Sequence, residues 1–103
     1  MALRQFQCTI TGAAQRVSDA IGSMARGGAA DEAYRQILIS TDTDCFIGAS
    51  SALTTSVYGV KLFAATASTY PLELGPYDTG PIKLSDIFVI GTSGTLHILA
   101  MPF

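Results

Sequence analysis

Apolar and polar residues alternate early in this chain. In LRQFQCTIT, residues 3 to 11, Phe6, Cys8 and Ile10 fall at every second position, with Arg4 at the edge of the same set and Gln5, Gln7 and Thr9 between them. A period of two predicts a strand with one buried face, and Gly12 ends it. In YRQILIS, residues 34 to 40, Ile37 and Ile39 share one face and Tyr34, Gln36 and Leu38 the other; CFIG, residues 45 to 48, puts Cys45 and Ile47 together. The TDTD between them is a turn, since aspartates bond local backbone amides, so the two strands read as a hairpin. A second hairpin is expected from IFVIG (87 to 91), TSG and TLHILAM (95 to 101), with Gly94 supplying the turn. Both of its faces are apolar: Ile87 and Val89 oppose Phe88 and Ile90, and Leu96, Ile98 and Ala100 oppose Leu99 and Met101.

The remaining stretches are weaker. Val17, Ala20, Ile21 and Met24 recur at helical spacing, yet Ser18, Gly22 and Ser23 are mediocre helix formers and Gly27-Gly28 stops any helix. Residues 14 to 18 read as extended, followed by a turn and a loop; one amphipathic helix over 13 to 25 is the alternative. ASSALTTSV, residues 49 to 57, is a small, hydroxylic connection, and YGVKLFAA turns at Gly59 before an apolar stretch at Leu62 and Phe63. Pro71, Pro76 and Pro81 leave room only for PLEL as an edge strand, Leu72 and Leu74 inward and Glu73 outward. LSD, residues 84 to 86, is a single turn.

Short strands divided by Gly, Pro and Ser turns predict an all-β chain: an antiparallel β-sandwich, jelly-roll-like, of about seven short strands, with residues 1 to 103 as a single domain. A strand apolar on both sides is buried on both sides. One face meets the other sheet; the second needs a cover, and the expectation is a neighbouring subunit.

Composition supports that expectation. Of 103 residues 49% are hydrophobic and only 14% are charged, with a net charge of -2. Soluble domains average about 25% charged, so this chain has few charges with which to cover its surface. The six Lys and Arg are scattered, which argues against nucleic-acid binding. Its apolar runs are too short to span a bilayer, and MALRQFQCTITG has no signal-peptide pattern. Cys8 and Cys45 are therefore expected as reduced thiols rather than a disulfide.

Candidate chemistry is sparse. His97, the single histidine, lies between Leu96 and Ile98 and would need a partner such as Asp86 or Ser93 to catalyse anything. Cys8, Cys45 and His97 lack the paired spacing of a zinc site. Asp42 and Asp44 begin like a calcium loop, but the glycine and terminal glutamate are missing. Neither RGGAAD nor GTSGT is a phosphate loop, and no serine sits in G-x-S-x-G. No enzyme activity, cofactor or metal is expected.

The strings ITGAAQRVSDA, YRQILISTDTDCFIG, YGVKLFAA, YPLELG and KLSDIFVIGTSGTLHIL together resemble small β-sandwich virion proteins of tailed bacteriophages. In those, a T-G-x-A-Q-x-[VL]-S opening leads to an I-x-[IV]…[VC]-x-[IV]-G element, then G-x-x-L, then [DK]-L-S-x-I-[FY]-V-I-G-T-x-G. The resemblance runs from Thr9 to Leu99 and is one of strands and turns rather than of catalytic residues. It implies a non-enzymatic structural protein of the virion: a head decoration or cement protein, or a head-to-tail component. The implied partners are the major capsid protein and further copies of the chain, with a homotrimer favoured because the implied shell has three-fold axes; nucleic acid and membrane are not implied. Alternatives are a neck, tail or fibre-associated component, or a carbohydrate-binding sandwich using Tyr58, Tyr70 and Tyr77. The residues expected at an interface are Met24, Arg26, Leu99, Met101 and Phe103.

Overall fold

The computed structural model describes residues 3–21, 33–65, 70–75 and 82–102. They form β1 (Arg4–Ile10), β2 (Gln15–Arg16), α1 (Val17–Ala20), β3 (Tyr34–Thr41), β4 (Cys45–Gly48), β5 (Val60–Leu62), β6 (Leu72–Leu74), a 3-10 turn at Leu84–Asp86, β7 (Phe88–Gly91) and β8 (Gly94–Pro102). The strands make two four-stranded antiparallel sheets, ordered β1-β8-β3-β6 and β2-β7-β4-β5. The pairings β1 with β8, β2 with β7, β3 with β6 and β4 with β5 run inward from the two ends of the chain. One long antiparallel ribbon has been rolled up, which is the jelly-roll arrangement. The expected sandwich is present, with eight strands.

Neither expected hairpin forms. β3 and β4 lie in different sheets, and so do β7 and β8. The short turns between them are arches that carry the chain across the core. A hairpin would set β7 beside β8; the arch instead brings Val89 of one sheet and Leu96, Ile98 and Ala100 of the other into one shared core, all buried. In exchange β8 gains two long partners, Arg4–Ile10 on one side and Tyr34–Thr41 on the other.

The core holds Phe6, Cys8, Ile10, Val17, Tyr34, Ile37, Ile39, Cys45, Val89, Leu96 and Ile98, joined by Leu84 and Ile87 below. Every inward position of β1 named from the alternation is buried. In β3 the alternation misplaces one residue. Tyr34 was expected beside Gln36 and Leu38 on the outer face, yet it is fully buried, its ring edge-on to Phe6 at 6.2 Å. The register shifts between Tyr34 and Gln36, and this β-bulge turns Tyr34 to the face of Ile37.

Residues 14 to 21 combine both sequence readings: two residues of strand, then a single helical turn. Val17 N–H donates to the Ile87 carbonyl at 2.8 Å, which fastens this turn beneath the sandwich.

Three arches gather at one end of the sandwich. Gly91 N–H donates to the Thr11 carbonyl at 2.9 Å, Asp42 N–H to the Thr95 carbonyl at 3.1 Å, and the Thr43 hydroxyl to the Ser93 carbonyl. Two glycines permit this crowding. Gly94 has φ +135, and a side chain there would meet Thr43; a side chain on Gly91 would meet Ile10 Cγ2 at 2.7 Å.

Candidate interaction surfaces

The outer face of the β2-β7-β4-β5 sheet is apolar, as the sequence requires, but the chain supplies its own cover. Leu53, from the connection between β4 and β5, packs on Phe88 and Ile90 with Phe46 and Ala14 around it. Gly48 makes room, since a Cβ there would lie 2.9 Å from Leu53 Cδ1. The expectation of a neighbouring subunit over this strand is therefore corrected: ASSALTTSV folds back, and Leu53 is 5% exposed. Full burial of such a side chain is worth about 2 kcal/mol.

Of the residues expected at an interface, Leu99 and Met101 lie half-buried on the outer face of β8, with Gln5 and Leu38 flanking Leu99 in the adjacent strands. Met24, Arg26 and Phe103 lie outside the described residues, as does Tyr77.

His97 lies on that same outer face. Its Nε2 is 3.1 Å from Asp42 Oδ1, and its Nδ1 is 3.4 Å from Gln7 Nε2. These partners assign the tautomer: Nε2–H donates to the carboxylate, and Nδ1 accepts from the Gln7 amide. Neither Asp86 nor Ser93, the partners considered from sequence, bonds it. Ser40 stands opposite His97 on β3, and Asp42 follows two residues later. This is not a catalytic triad. In a triad the nitrogen away from the carboxylate faces the nucleophile; here that nitrogen faces Gln7 on β1, and Ser40 is on the other flank. The cluster binds β8 to its neighbours.

Cys8 and Cys45 are both free and buried. Burial pushes the Cys8 thiol up to about 12, with a smaller contribution from Cys45 beside it. Burial also raises Cys45, partly offset by a hydrogen bond with Thr41. Neither is poised as a nucleophile. Asp44 Oδ1 accepts from Ala64 N–H at 2.8 Å, so one carboxylate of the TDTD turn holds the chain after β5. No group of three or more metal-ligating side chains occurs among the described residues.

The exposed apolar surface brings Tyr58 and Tyr70, two of the tyrosines named for the carbohydrate alternative, together with residues of YGVKLFAA. Val57, Tyr58, Val60, Phe63 and Tyr70 are exposed by 67, 45, 39, 60 and 91%. Val60 and Phe63 belong to β5 and its exit and Tyr70 precedes β6, the strands that end the two sheets, while Val57 and Tyr58 stand beside the 48–53 connection. Tyr58 packs on Phe46 with ring centres 4.6 Å apart, and Lys61 Nζ sits 5.5 Å from the Phe46 ring and 5.0 Å from that of Phe63. The result is a ladder of ring, ring, cation and ring. Beside it runs a groove of about 290 Å³ bounded by Ile39, Ser40, Leu62, Phe63, Tyr70 and Pro71. The sequence signal was available: YGVKLFAA carries apolar residues at adjacent positions rather than alternate ones, more than a three-residue edge strand can turn inward.

Among the described residues, fold and surface define a jelly-roll β-sandwich with a closed core and an exposed apolar edge at β5. No family model matches the chain, and neither a curated protein nor a solved structure matches it.

Proposed function

We propose that this chain is a non-enzymatic structural protein of a bacteriophage virion, a head decoration or cement protein that binds the major capsid protein as a symmetric homo-oligomer, most simply a trimer. The observation that carries this reading is the apolar edge at Val57, Tyr58, Val60, Phe63 and Tyr70, exposed on a sandwich that already has a closed core. Single exposed apolar residues are ordinary, whereas a contiguous strip marks a contact surface. Two-sheet jelly rolls recur in capsid and lectin domains, and the fold alone does not choose between such roles. The resemblance of the strand and turn pattern to tailed-phage virion proteins favours the capsid. The held tautomer of His97 and the raised thiols leave the described residues without an activated nucleophile, which favours binding over catalysis. On this reading the chain works in the virion, after assembly in the host cytoplasm, and touches neither nucleic acid nor membrane.

Light scattering on the purified chain is expected to give a trimer, and its addition to undecorated capsids to raise their resistance to heat. A monomer without affinity for any shell overturns the proposal. Copy number in a density map of the particle separates decoration, at hundreds per head, from a neck or tail component, at about a dozen. Tyr70, 91% exposed beside a groove, favours one other reading, a carbohydrate-binding sandwich; a glycan array without hits disposes of it.

A further inference from the structure

Among the described residues, Lys61 is the one charged residue lining the β5–β6 groove. Its ammonium is held between the Phe46 and Phe63 rings and forms no ion pair with any described residue. An ammonium has three donors and no acceptor. A ring on either side attracts the charge without bonding its hydrogens, so those donors are left for an acceptor from outside. The acceptor that an ammonium at an apolar boundary favours is a carboxylate. Ile39, Leu62, Phe63, Ala65 and Pro71 make much of the remaining wall apolar and suited to aliphatic side chains, with Ser40, Thr41 and Tyr70 among them. β5 pairs only with β4, and among the described residues no strand lies on its other edge. An unpaired strand edge is a template for an extended segment.

We infer that the β5–β6 groove receives an extended segment of a different protein chain, one that alternates aliphatic residues and sets an Asp or Glu against Lys61. This deepens the proposed function and rests on the reading that the chain works by binding other proteins. A second copy of this chain is the poorer occupant for β5: edge-to-edge pairing about a two-fold axis at the middle residue of β5 would set Lys61 against itself. A nucleic acid is also the poorer occupant, because one cation in a chain of net charge -2 is a weak phosphate site.

The test is a displayed library of random nine-residue segments selected on the immobilised full chain, with the enriched segments then synthesised and titrated by fluorescence anisotropy. Enriched segments are expected to carry an acidic residue flanked at alternate positions by Val, Ile or Leu. Lys61→Glu is expected to weaken them at least tenfold and to recover binding when the segment's acid is changed to Lys. Phe63→Ala is expected to weaken them as well, and Thr9→Ala, on the distant edge strand β1, to leave them unchanged. Lys61 and Phe63 lie on the surface, and thermal melts confirm that each variant folds. No enriched segment, segments without an acidic preference, or binding indifferent to Lys61→Glu overturns the inference. So does self-association, or binding of a thymidine oligonucleotide, that Lys61→Glu abolishes. The two proposals fail separately: capsid binding untouched by Lys61→Glu overturns the groove alone, and Lys61-dependent binding of acidic segments without affinity for any capsid overturns the virion reading alone.

Discussion

The Thr43 hydroxyl donates a hydrogen bond to the Ser93 carbonyl and so ties the β3–β4 arch to the β7–β8 arch, fifty positions apart. Gly94, next along, gives Thr43 its space: any side chain on Gly94 would occupy the place of the Thr43 hydroxyl. The two arches are thus one packed unit, and the strands they release enter opposite sheets in register.

Thr43→Ala is expected to cost about 1 kcal/mol in urea unfolding, the usual net worth of a single hydrogen bond. Gly94→Ala is expected to cost more, roughly 2–3 kcal/mol, because it adds a steric conflict to an unfavourable φ of +135. Thr43→Gly in the Gly94→Ala background removes the conflict and leaves the backbone strain, so it recovers only part. Strict additivity of the two changes would contradict the packing described.

Gly91→Ala probes the contact between sheets. The new methyl would lie 2.7 Å from Ile10 Cγ2 and 3.2 Å from Cys45 Cβ, both in the core. Overpacking of this kind costs about 1–3 kcal/mol, and Ile10→Ala, which removes the Cγ2 methyl, is expected in a double-mutant cycle to return a share of it. A neutral Gly91→Ala would mean that the sheets are further apart at this point.

Leu53→Ala removes the side chain that covers Phe88 and Ile90. A loss of about 2 kcal/mol is expected, together with increased binding of an apolar dye, because the change uncovers the outer face of β7. An unchanged melting temperature would show that another part of the chain covers this strand.

The thiols make stability pH-dependent at the alkaline end. Both are raised by burial, Cys8 from 9.0 to about 12. A thiol is neutral when protonated, so above pH 9 the unfolded chain loses protons that the folded chain retains. The Cys8 contribution is fully present below about pH 9 and is lost as pH rises toward 12, at about 1.4 kcal/mol per unit within that window, and that of Cys45 is lost in the same direction. Denaturant midpoints measured from pH 8 to 11 are expected to fall, less steeply in Cys8→Ala than in wild type. Below pH 9 the thiols are expected to react with an alkylating reagent only after unfolding, and rapid labelling of the native chain would refute their burial.

His97→Ala is expected to change stability by less than about 1 kcal/mol, as is usual for side-chain hydrogen bonds at the surface. A larger loss in thermal unfolding would mark the Gln7–His97–Asp42 cluster as the main tie between β1, β8 and the β3–β4 arch.

What the sequence determined by itself is local. A strand's inward face follows from a period of two, so Phe6, Cys8 and Ile10, and Ile37 and Ile39, could be assigned to the core residue by residue, whereas β8, apolar on both faces, needed the fold to turn Leu96, Ile98 and Ala100 inward. The PLEL edge strand and the LSD turn were equally legible, because proline and short polar side chains act on the backbone beside them. Which sheet each strand joins was decided only in three dimensions. TDTD and TSG are short enough for a hairpin or an arch, and the choice turns on whether the strand buries more beside its chain neighbour or across from it. Tyr34 escaped the alternation because one bulge reverses a face. The cover on Phe88 came from Leu53, far earlier in the chain and not from its end. At Phe63 the adjacent apolar residues of YGVKLFAA were legible, but only the packed structure shows which of them has no inward place left.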